Sequence, residues 1–184
     1  MNENLTAREG MKCAVGAADA MCEALAATGK YSVECHDAEG NLVWSQEIKN
    51  LVTTEGKNNL LDNHLSGAGY TAHWYIGLIS SANYSAVSAD DTMANHAGWA
   101  EDIDYTQTAR PTTAWSSAAA GQKTLSSGVV YTMNKAGTVK GCFLASDSAK
   151  GGTTGTLYSA GLFTGGDQPV TSGNTLTVSY TAIV

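Results

Sequence analysis

The C-terminal stretch Asn174–Val184 reads N-T-L-T-V-S-Y-T-A-I-V and alternates in polarity. Apolar side chains stand at Leu176, Val178, Tyr180 and Ala182, and threonine or serine lies between them. This alternation predicts a β-strand with one buried face, because successive side chains of a strand point to opposite sides. Such a strand needs a hydrophobic core beneath it, so the stretch indicates a β fold.

A β-hairpin is predicted near the other end of the β region. Residues 31–36 alternate apolar and polar side chains, residues 37–41 are rich in turn formers, and residues 42–48 resume an apolar face. Two such runs joined by a four- or five-residue loop are typical of a hairpin.

Further strands are predicted between these two ends. The run W-Y-I-G-L-I at 74–79 is apolar on both faces, which indicates a central strand covered from both sides. Clusters of Gly, Ser, Asn and Asp separate the other candidate strands, which are 112–116, 128–133, 138–145 and 156–163. Short strands at this spacing predict a mostly β fold, a β-sandwich or jelly-roll-like domain over residues 30–184.

Two short helices are predicted inside this domain. The first runs from Glu55 to about Leu65 behind a threonine N-cap, Thr53 or Thr54. The leucines expected to face inward from it are Leu60, Leu61 and Leu65. The second is a single turn over residues 88–94, which Ser88 caps and which two aspartates favour at its N-terminus.

Residues 1–29 predict an N-terminal helical arm. Apolar residues recur there at helical spacing, and Gly29 is a suitable C-terminal stop. The stripe consists of Met11, Val15, Ala18, Cys22 and Leu25. Its narrowness suits a helix that lies in a groove of a partner subunit, which makes these residues candidate partner-binding residues. A helix packed on its own domain would show the same stripe.

The charge pattern limits the partners of the chain. Charged residues make up 15% of it and the net charge is -7. Residues 1–109 carry five basic against fifteen acidic groups, a net charge of -10, and residues 110–184 carry five against two, a net charge of +3. An acidic half argues against a nucleic-acid groove, which needs clustered lysine and arginine. The asymmetry suits head-to-tail contact between copies, although chance produces such an imbalance as well.

Motifs that carry chemistry are missing from the sequence. The four cysteines Cys13, Cys22, Cys35 and Cys142 form no C-x-x-C pair and lie at no zinc-ligand spacing. We expect them to be reduced thiols. The acidic clusters at 90–91 and 101–104 are expected to point at water. No nucleophile elbow, phosphate loop or membrane-spanning apolar run occurs. The sequence therefore predicts no enzyme, no cofactor, no metal and no membrane partner.

The four tryptophans admit two interpretations. They could be sugar-stacking platforms, but tryptophans more often anchor a core or a subunit interface. We expect the loop aromatics Trp99 and Trp115 to contact a partner.

Several stretches taken together resemble one family. They are V-E-C-H-D-A-E-G-N-L-V-W at 33–44, I-K-N-L-V at 48–52, W-Y-I-G-L-I at 74–79, A-D-D-T-M-A-N-H-A-G-W at 89–99, R-P at 110–111, G-T-L-Y-S-A-G-L-F at 155–163 and V-S-Y at 178–180. In this order they resemble small virion-associated proteins of tailed phages and prophages, among them capsid cementing or decoration proteins with a jelly-roll-like fold. The resemblance covers roughly residues 31–184 and leaves out the arm.

The resemblance implies a structural role and no catalysis. Such a protein would be assembled in the host cytoplasm and sit on the capsid surface of the virion. There it would bind and stabilise the shell, with the major capsid protein and other copies of itself as partners. An alternative within virions is a tail-fibre or head-fibre module that recognises host glycans through exposed tryptophan and tyrosine. Copy number per particle separates the two roles.

Overall fold

The computed structural model describes residues 27–66 and 73–184. The arm and its stripe of Met11, Val15, Ala18, Cys22 and Leu25 lie outside the described residues. Docking of the arm on a partner therefore stays a prediction.

The described chain folds into eleven strands and one short α-helix. The strands are β1 (Thr28–His36), β2 (Leu42–Lys49), β3 (Leu51–Val52), β4 (Tyr75–Ser80), β5 (Glu101–Asp102), β6 (Gln122–Thr124), β7 (Val129–Thr132), β8 (Gly137–Ala145), β9 (Leu157–Leu162), β10 (Gln168–Val170) and β11 (Thr175–Ile183). The helix α1 spans Thr54–Leu61 and continues into a π-helical turn at Asp62–Ser66.

Two antiparallel sheets form a β-sandwich, as the sequence predicts. Sheet A has the order β2-β1-β11-β6, with β7 also paired to β11. Sheet B has the order β3-β9-β8-β4-β5, with β10 also paired to β8. The first and last strands pair along their whole length, from Thr28 opposite Ile183 to His36 opposite Thr175. The predicted hairpin and the predicted C-terminal strand are thus neighbours at the centre of sheet A.

The core lies between the inner faces of the two sheets. The alternating apolar residues of β1 and β11 are fully buried there, including Tyr31, Val33 and Val178. They meet apolar residues of β4 and β8 such as Leu78 and Cys142. Burying one large apolar side chain stabilises a fold by about 1.5–3 kcal/mol, so this alternation is what forces the two sheets together.

Buried tyrosines join the two sheets with hydrogen bonds. The Tyr31 hydroxyl lies 2.8 Å from the Ser159 hydroxyl, and the Tyr131 hydroxyl donates to the Ile76 carbonyl at 2.6 Å. Burial raises the pKa of Tyr31 well above its ordinary value, which keeps this hydroxyl neutral. These bonds cross from sheet A to sheet B and fix the sheets relative to each other.

Sheet B is buried on its outer side as well. Met93 and Trp99 belong to a long loop that packs on Ile79, Phe143 and neighbouring residues of β4, β8 and β9. The predicted central strand at 74–79 is accordingly buried from both sides, with Ile76 to Ile79 inaccessible. The molecule therefore has a third layer, made of loop, on one face of the sandwich.

Helix α1 docks by its first turn. Thr53 is the N-cap, as predicted, and its hydroxyl accepts from Gly56 N–H at 3.0 Å. Gly56 packs against the Tyr158 backbone so closely that a Cβ would collide with it. The inward orientation predicted for the helix leucines is wrong: Leu60, Leu61 and Leu65 are 39%, 54% and 77% exposed. Because the helix contacts β9 through its N-terminal end, the leucines beyond that end are left at the surface.

Three further predictions need correction. Thr28 and Gly29 belong to β1, so the strand begins where the arm was expected to end. Residues 88–94 form no helix; Asp90 N–H donates to the Ser88 hydroxyl in a hydrogen-bonded turn instead. Residues 112–116 contribute only isolated bridges, from Thr112 to Tyr75 of β4 and from Trp115 to Leu125, so the segment forms no continuous strand.

Replacing Gly141 by Ala should destabilise the fold by about 1–3 kcal/mol, the usual result of forcing an extra group into a packed site. Gly141 lies where β8 meets β9, and a Cβ there would collide with the carbonyl oxygen of Gly161. Gly137→Ala on the same strand is the matched control, since a Cβ there meets nothing within 4 Å. Thermal melting should separate the two variants, and equal melting temperatures would contradict this packing.

Candidate interaction surfaces and the loop pocket

A pocket of about 400 Å³ opens between the loop layer and the residues that follow β8. The loop contributes Met93, His96 and Trp99 to its lining, and Gly151 to Thr153 form the opposite wall. Phe143, Glu101 and Arg110 also line it. The pocket thus combines apolar and aromatic walls with one buried pair of charges, a composition typical of ligand sites.

The charges are a bidentate ion pair between Arg110 and Glu101. The Arg110 Nε donates to Glu101 Oε1 at 3.1 Å, and its Nη2 donates to Oε2 at 2.8 Å. Both side chains are almost inaccessible, at 1% and 5% exposure. A buried charge without a partner costs several kcal/mol, so each of these groups depends on the other.

Arg110 also fixes the loop that follows β8. Its Nη1 donates to the Asp147 carbonyl at 2.9 Å, and Nη2 donates to the Gly152 carbonyl at 2.8 Å. The guanidinium lies over the Phe143 ring, 5.1 Å from the ring centre. A planar fork of several N–H donors is what such a junction requires, and lysine lacks it.

Glu101 is equally occupied, which corrects the expectation that the 101–104 acids point at water. Its Oε1 accepts from the Tyr105 hydroxyl at 3.2 Å, and its Oε2 accepts from Gly151 N–H at 2.7 Å. Asp102 beside it is buried too, and burial raises the pKa of Asp102. The acid of the pocket is therefore held in place by four hydrogen bonds.

Trp99 is a core residue, which corrects the prediction that its ring contacts a partner. It is 4% exposed, stacks on His96 with ring centres 4.1 Å apart, and lies 5.1 Å from Phe143. Its indole N–H donates to Asp91 Oδ2 at 2.9 Å. The ring anchors the loop layer to sheet B, and the little of it that stays accessible borders the loop pocket.

Trp115 and the other two tryptophans are half-buried. Trp115 packs edge-on against Tyr180, with ring centres 6.0 Å apart, and keeps part of its ring accessible. Partner contact by Trp115 therefore stays a prediction. Trp44 donates its indole N–H to the Pro169 carbonyl at 2.9 Å, and Trp74 packs on Tyr158. None of the four rings is a freely exposed platform for a sugar.

The exposed large apolar side chains of the described residues are all aliphatic, and five of the nine form two groups along the chain; the other four are Leu51, Ile103, Val130 and Val184. Leu42 and Val43, 58% and 53% exposed, form a hairpin patch at the start of β2. The leucine patch, defined as Leu60, Leu61 and Leu65, lies on helix α1 and the π-helical turn that follows it. The two patches therefore belong to separate elements, one at the hairpin and one on the helix.

The outer face of sheet A is polar. Its β1 and β11 positions include Ser32, Thr177 and Ser179, which are partly exposed. Lys30 and Glu47 form a cross-strand ion pair at 3.1 Å on the same face. This face resembles the solvated side of an ordinary antiparallel sheet, and Val130 of β7, 46% exposed, is an apolar residue on it.

The two described cysteines are free thiols inside the core. Burial raises the pKa of Cys35 to about 11 and that of Cys142 further. A thiol is nucleophilic as its thiolate, so neither group is suited to covalent chemistry. Cys13 and Cys22 lie outside the described residues.

Comparisons with known proteins identify no relative. No protein-family model matches the chain, and no curated protein matches it significantly. Within residues 27–66 and 73–184, no helix is long and apolar enough to cross a membrane, and no three His, Cys, Asp or Glu side chains are placed to hold a metal ion.

Replacing Glu101 by Gln should lower the free energy of unfolding by about 3 kcal/mol, because the Arg110 charge would stay buried without its counter-charge. Glu47→Gln breaks the exposed pair with Lys30 and is the control, expected to change stability by less than about 1 kcal/mol. Urea denaturation measures both values. Equal losses for the two variants would show that the buried pair does not organise the loops.

Proposed function

We propose that the chain is a structural virion protein that binds and stabilises the capsid shell of a tailed phage, as a decoration or cement protein. The observation that carries the proposal is the set of large aliphatic side chains that the described sandwich leaves exposed, among them the hairpin patch and the leucine patch. A molecule with apolar contact surfaces on separate elements is suited to join neighbours. The partners would be the major capsid protein and other copies of the chain.

The energetics favour many weak contacts over one tight contact. Full burial of one leucine or valine contributes about 1.5–3 kcal/mol. The loss of translational and rotational entropy on association offsets part of this gain. The hairpin patch alone would therefore bind one neighbour weakly. On a shell that repeats the same seam many times, however, such contacts act together and resist outward pressure on the capsid.

The rigidity of the sandwich supports the same role. Hydrogen bonds from Tyr31 and Tyr131 join the sheets, and Arg110 ties the loops to each other. A cement protein transmits load between its neighbours, which a deformable domain would do poorly. The N-terminal arm would add a further contact by laying its stripe on a partner subunit.

A non-catalytic role agrees with the state of the reactive groups. Glu101 lies in the pocket, but the ion pair with Arg110 and two other hydrogen-bonding groups, the Tyr105 hydroxyl and the Gly151 N–H, hold its carboxylate. General acid–base catalysis needs a group that can exchange a proton with a substrate. Cys35 and Cys142 are buried thiols with raised pKa values, which disfavours a covalent step.

Substituting Leu42→Ser and Val43→Ser together should weaken binding to particles stripped of this protein by about tenfold or more, since burial of one such side chain exceeds the 1.4 kcal/mol that corresponds to tenfold. Glu34→Arg, on the polar face of sheet A, is the control and should bind like the unaltered protein. Co-sedimentation with particles measures both, after thermal melting has shown that the variants fold.

The opposite pattern would move the contact surface. If Glu34→Arg abolished binding and the hairpin-patch variant bound normally, the shell would contact the flat face of sheet A. The proposed contact between the hairpin patch and the shell would then be wrong. Failure of the unaltered protein to bind any phage particle would refute the capsid role itself.

The glycan-binding alternative is favoured by one observation, the loop pocket. Its exposed rim includes Asn95 and Thr153, and His96 supplies a partly exposed ring. If the pocket reads host glycans, the unaltered protein should bind oligosaccharides on an array, and Asn95→Ala with Thr153→Ala should abolish the signal. We expect no signal for either protein, and a pocket-dependent signal would make the receptor-binding role the better account.

A further inference from the structure

The leucine patch exposes three large apolar side chains that no described residue fully covers. Leu61 and Leu65 are four residues apart and Leu60 adjoins them, yet all three side chains are more than a third exposed. The first turn of α1 is anchored by Thr53 and Gly56, so the leucines cannot turn inward without undocking the helix. Adjacent leucines exposed on one short element are a contact surface, because exposed apolar patches mark sites that another segment or molecule covers.

The chain before Thr28 enters the β domain at β1, whose first residues lie beside the segment that leads into α1. The Asn50 N–H donates to the Gly29 carbonyl at 3.1 Å, so the first residues of β1 lie one strand spacing from the residue that precedes Leu51. The N-cap Thr53 follows Asn50 by three positions, a distance of at most about 11 Å, and α1 is about 12 Å long. The far end of α1 therefore lies within about 30 Å of the start of β1.

The arm carries an apolar stripe that is long enough, and close enough to β1, to reach the leucine patch. Its stripe ends at Leu25, three residues before Thr28, a separation of at most about 11 Å. A helix over residues 11–25 would be about 21 Å long, enough to lay the stripe along the patch. The two surfaces match in kind, since both are narrow rows of aliphatic side chains.

We propose that, in the protein before it joins a particle, the stripe formed by Met11, Val15, Ala18, Cys22 and Leu25 covers the leucine patch of its own chain. The short connection through Ala26 and Ala27 gives the stripe an effective concentration of about millimolar at its own patch, far above that of a second copy in dilute solution. Own-chain docking is therefore favoured over exchange between copies.

This contact has a consequence for assembly. A stripe that covers its own patch cannot at the same time lie on a partner subunit, so docking of the arm on a partner requires its release. Release also uncovers the leucine patch. Release of the arm would thus expose the stripe and the leucine patch at the same time. Both surfaces would stay covered while the protein is free. The proposal concerns the free protein, and it stands or falls independently of the capsid role.

Hydrogen exchange of the full chain in dilute solution tests the contact. Backbone amides of residues 11–25 should exchange at least about tenfold slower in the unaltered protein than in the variant Leu60→Ser, Leu61→Ser, Leu65→Ser. The matched control is Leu42→Ser with Val43→Ser, which removes exposed apolar side chains elsewhere and should leave the protection unchanged. Unprotected amides in the unaltered protein, or equal protection in all three proteins, would overturn the proposal.

A thiol trap distinguishes the chain's own patch from that of a second copy. In a Cys13→Ser background, Leu61→Cys places a thiol in the patch, while Cys35 and Cys142 are buried and do not compete. Mild oxidation should link Cys22 to position 61 within one chain, giving a monomer that runs faster on a non-reducing gel. A predominant disulfide-linked dimer would show exchange between copies, and no Cys22 disulfide at all would show that the stripe does not reach the patch.

Discussion

The bidentate pair between Arg110 and Glu101 joins the edge strand β5 of sheet B to the loops beside it. Sheet B is apolar on both faces, so it is stable only when its outer face is covered. The cover is a loop with few backbone pairings of its own, anchored by Trp99 and Met93. Arg110 joins the end of this loop, through Glu101, to the carbonyls that follow β8. Without that junction, the hydrophobic face of the sheet would depend on loop packing alone.

The resulting body is cross-linked in its middle by hydrogen bonds between the two sheets. The carboxylate and the guanidinium that line the pocket are bonded to each other. Exposed aliphatic side chains include those of the hairpin patch and the leucine patch. This combination suits a protein whose task is to hold its neighbours, and the low charge content is consistent with a surface that neighbours cover.

The sequence predicts the regular part of the fold well, because there a two-residue period coincides with burial. The hairpin, the strand at 74–79 and the C-terminal strand all follow that rule. The loop layer escaped prediction, since Glu101 and Arg110 are joined by no periodic pattern. One usable signal existed: Arg110 is one of only two arginines beside eight lysines, and arginine is preferred for buried bidentate pairs. A loop position does not reveal burial, so the sequence gives no sign that Trp99 is a core residue. The spacing of the helix leucines does not reveal which end of the helix docks, so it wrongly predicts that they face the core.

The number of copies per purified particle tests the central claim most directly. Quantitative mass spectrometry against the major capsid protein, supported by a reconstruction of the virion, gives that number and the position of the sandwich. A decoration protein should be present in hundreds of copies, in a fixed ratio to the capsid subunits, with its ends on neighbouring capsomers. A handful or a few dozen copies, located at the tail or on fibres, would contradict the account.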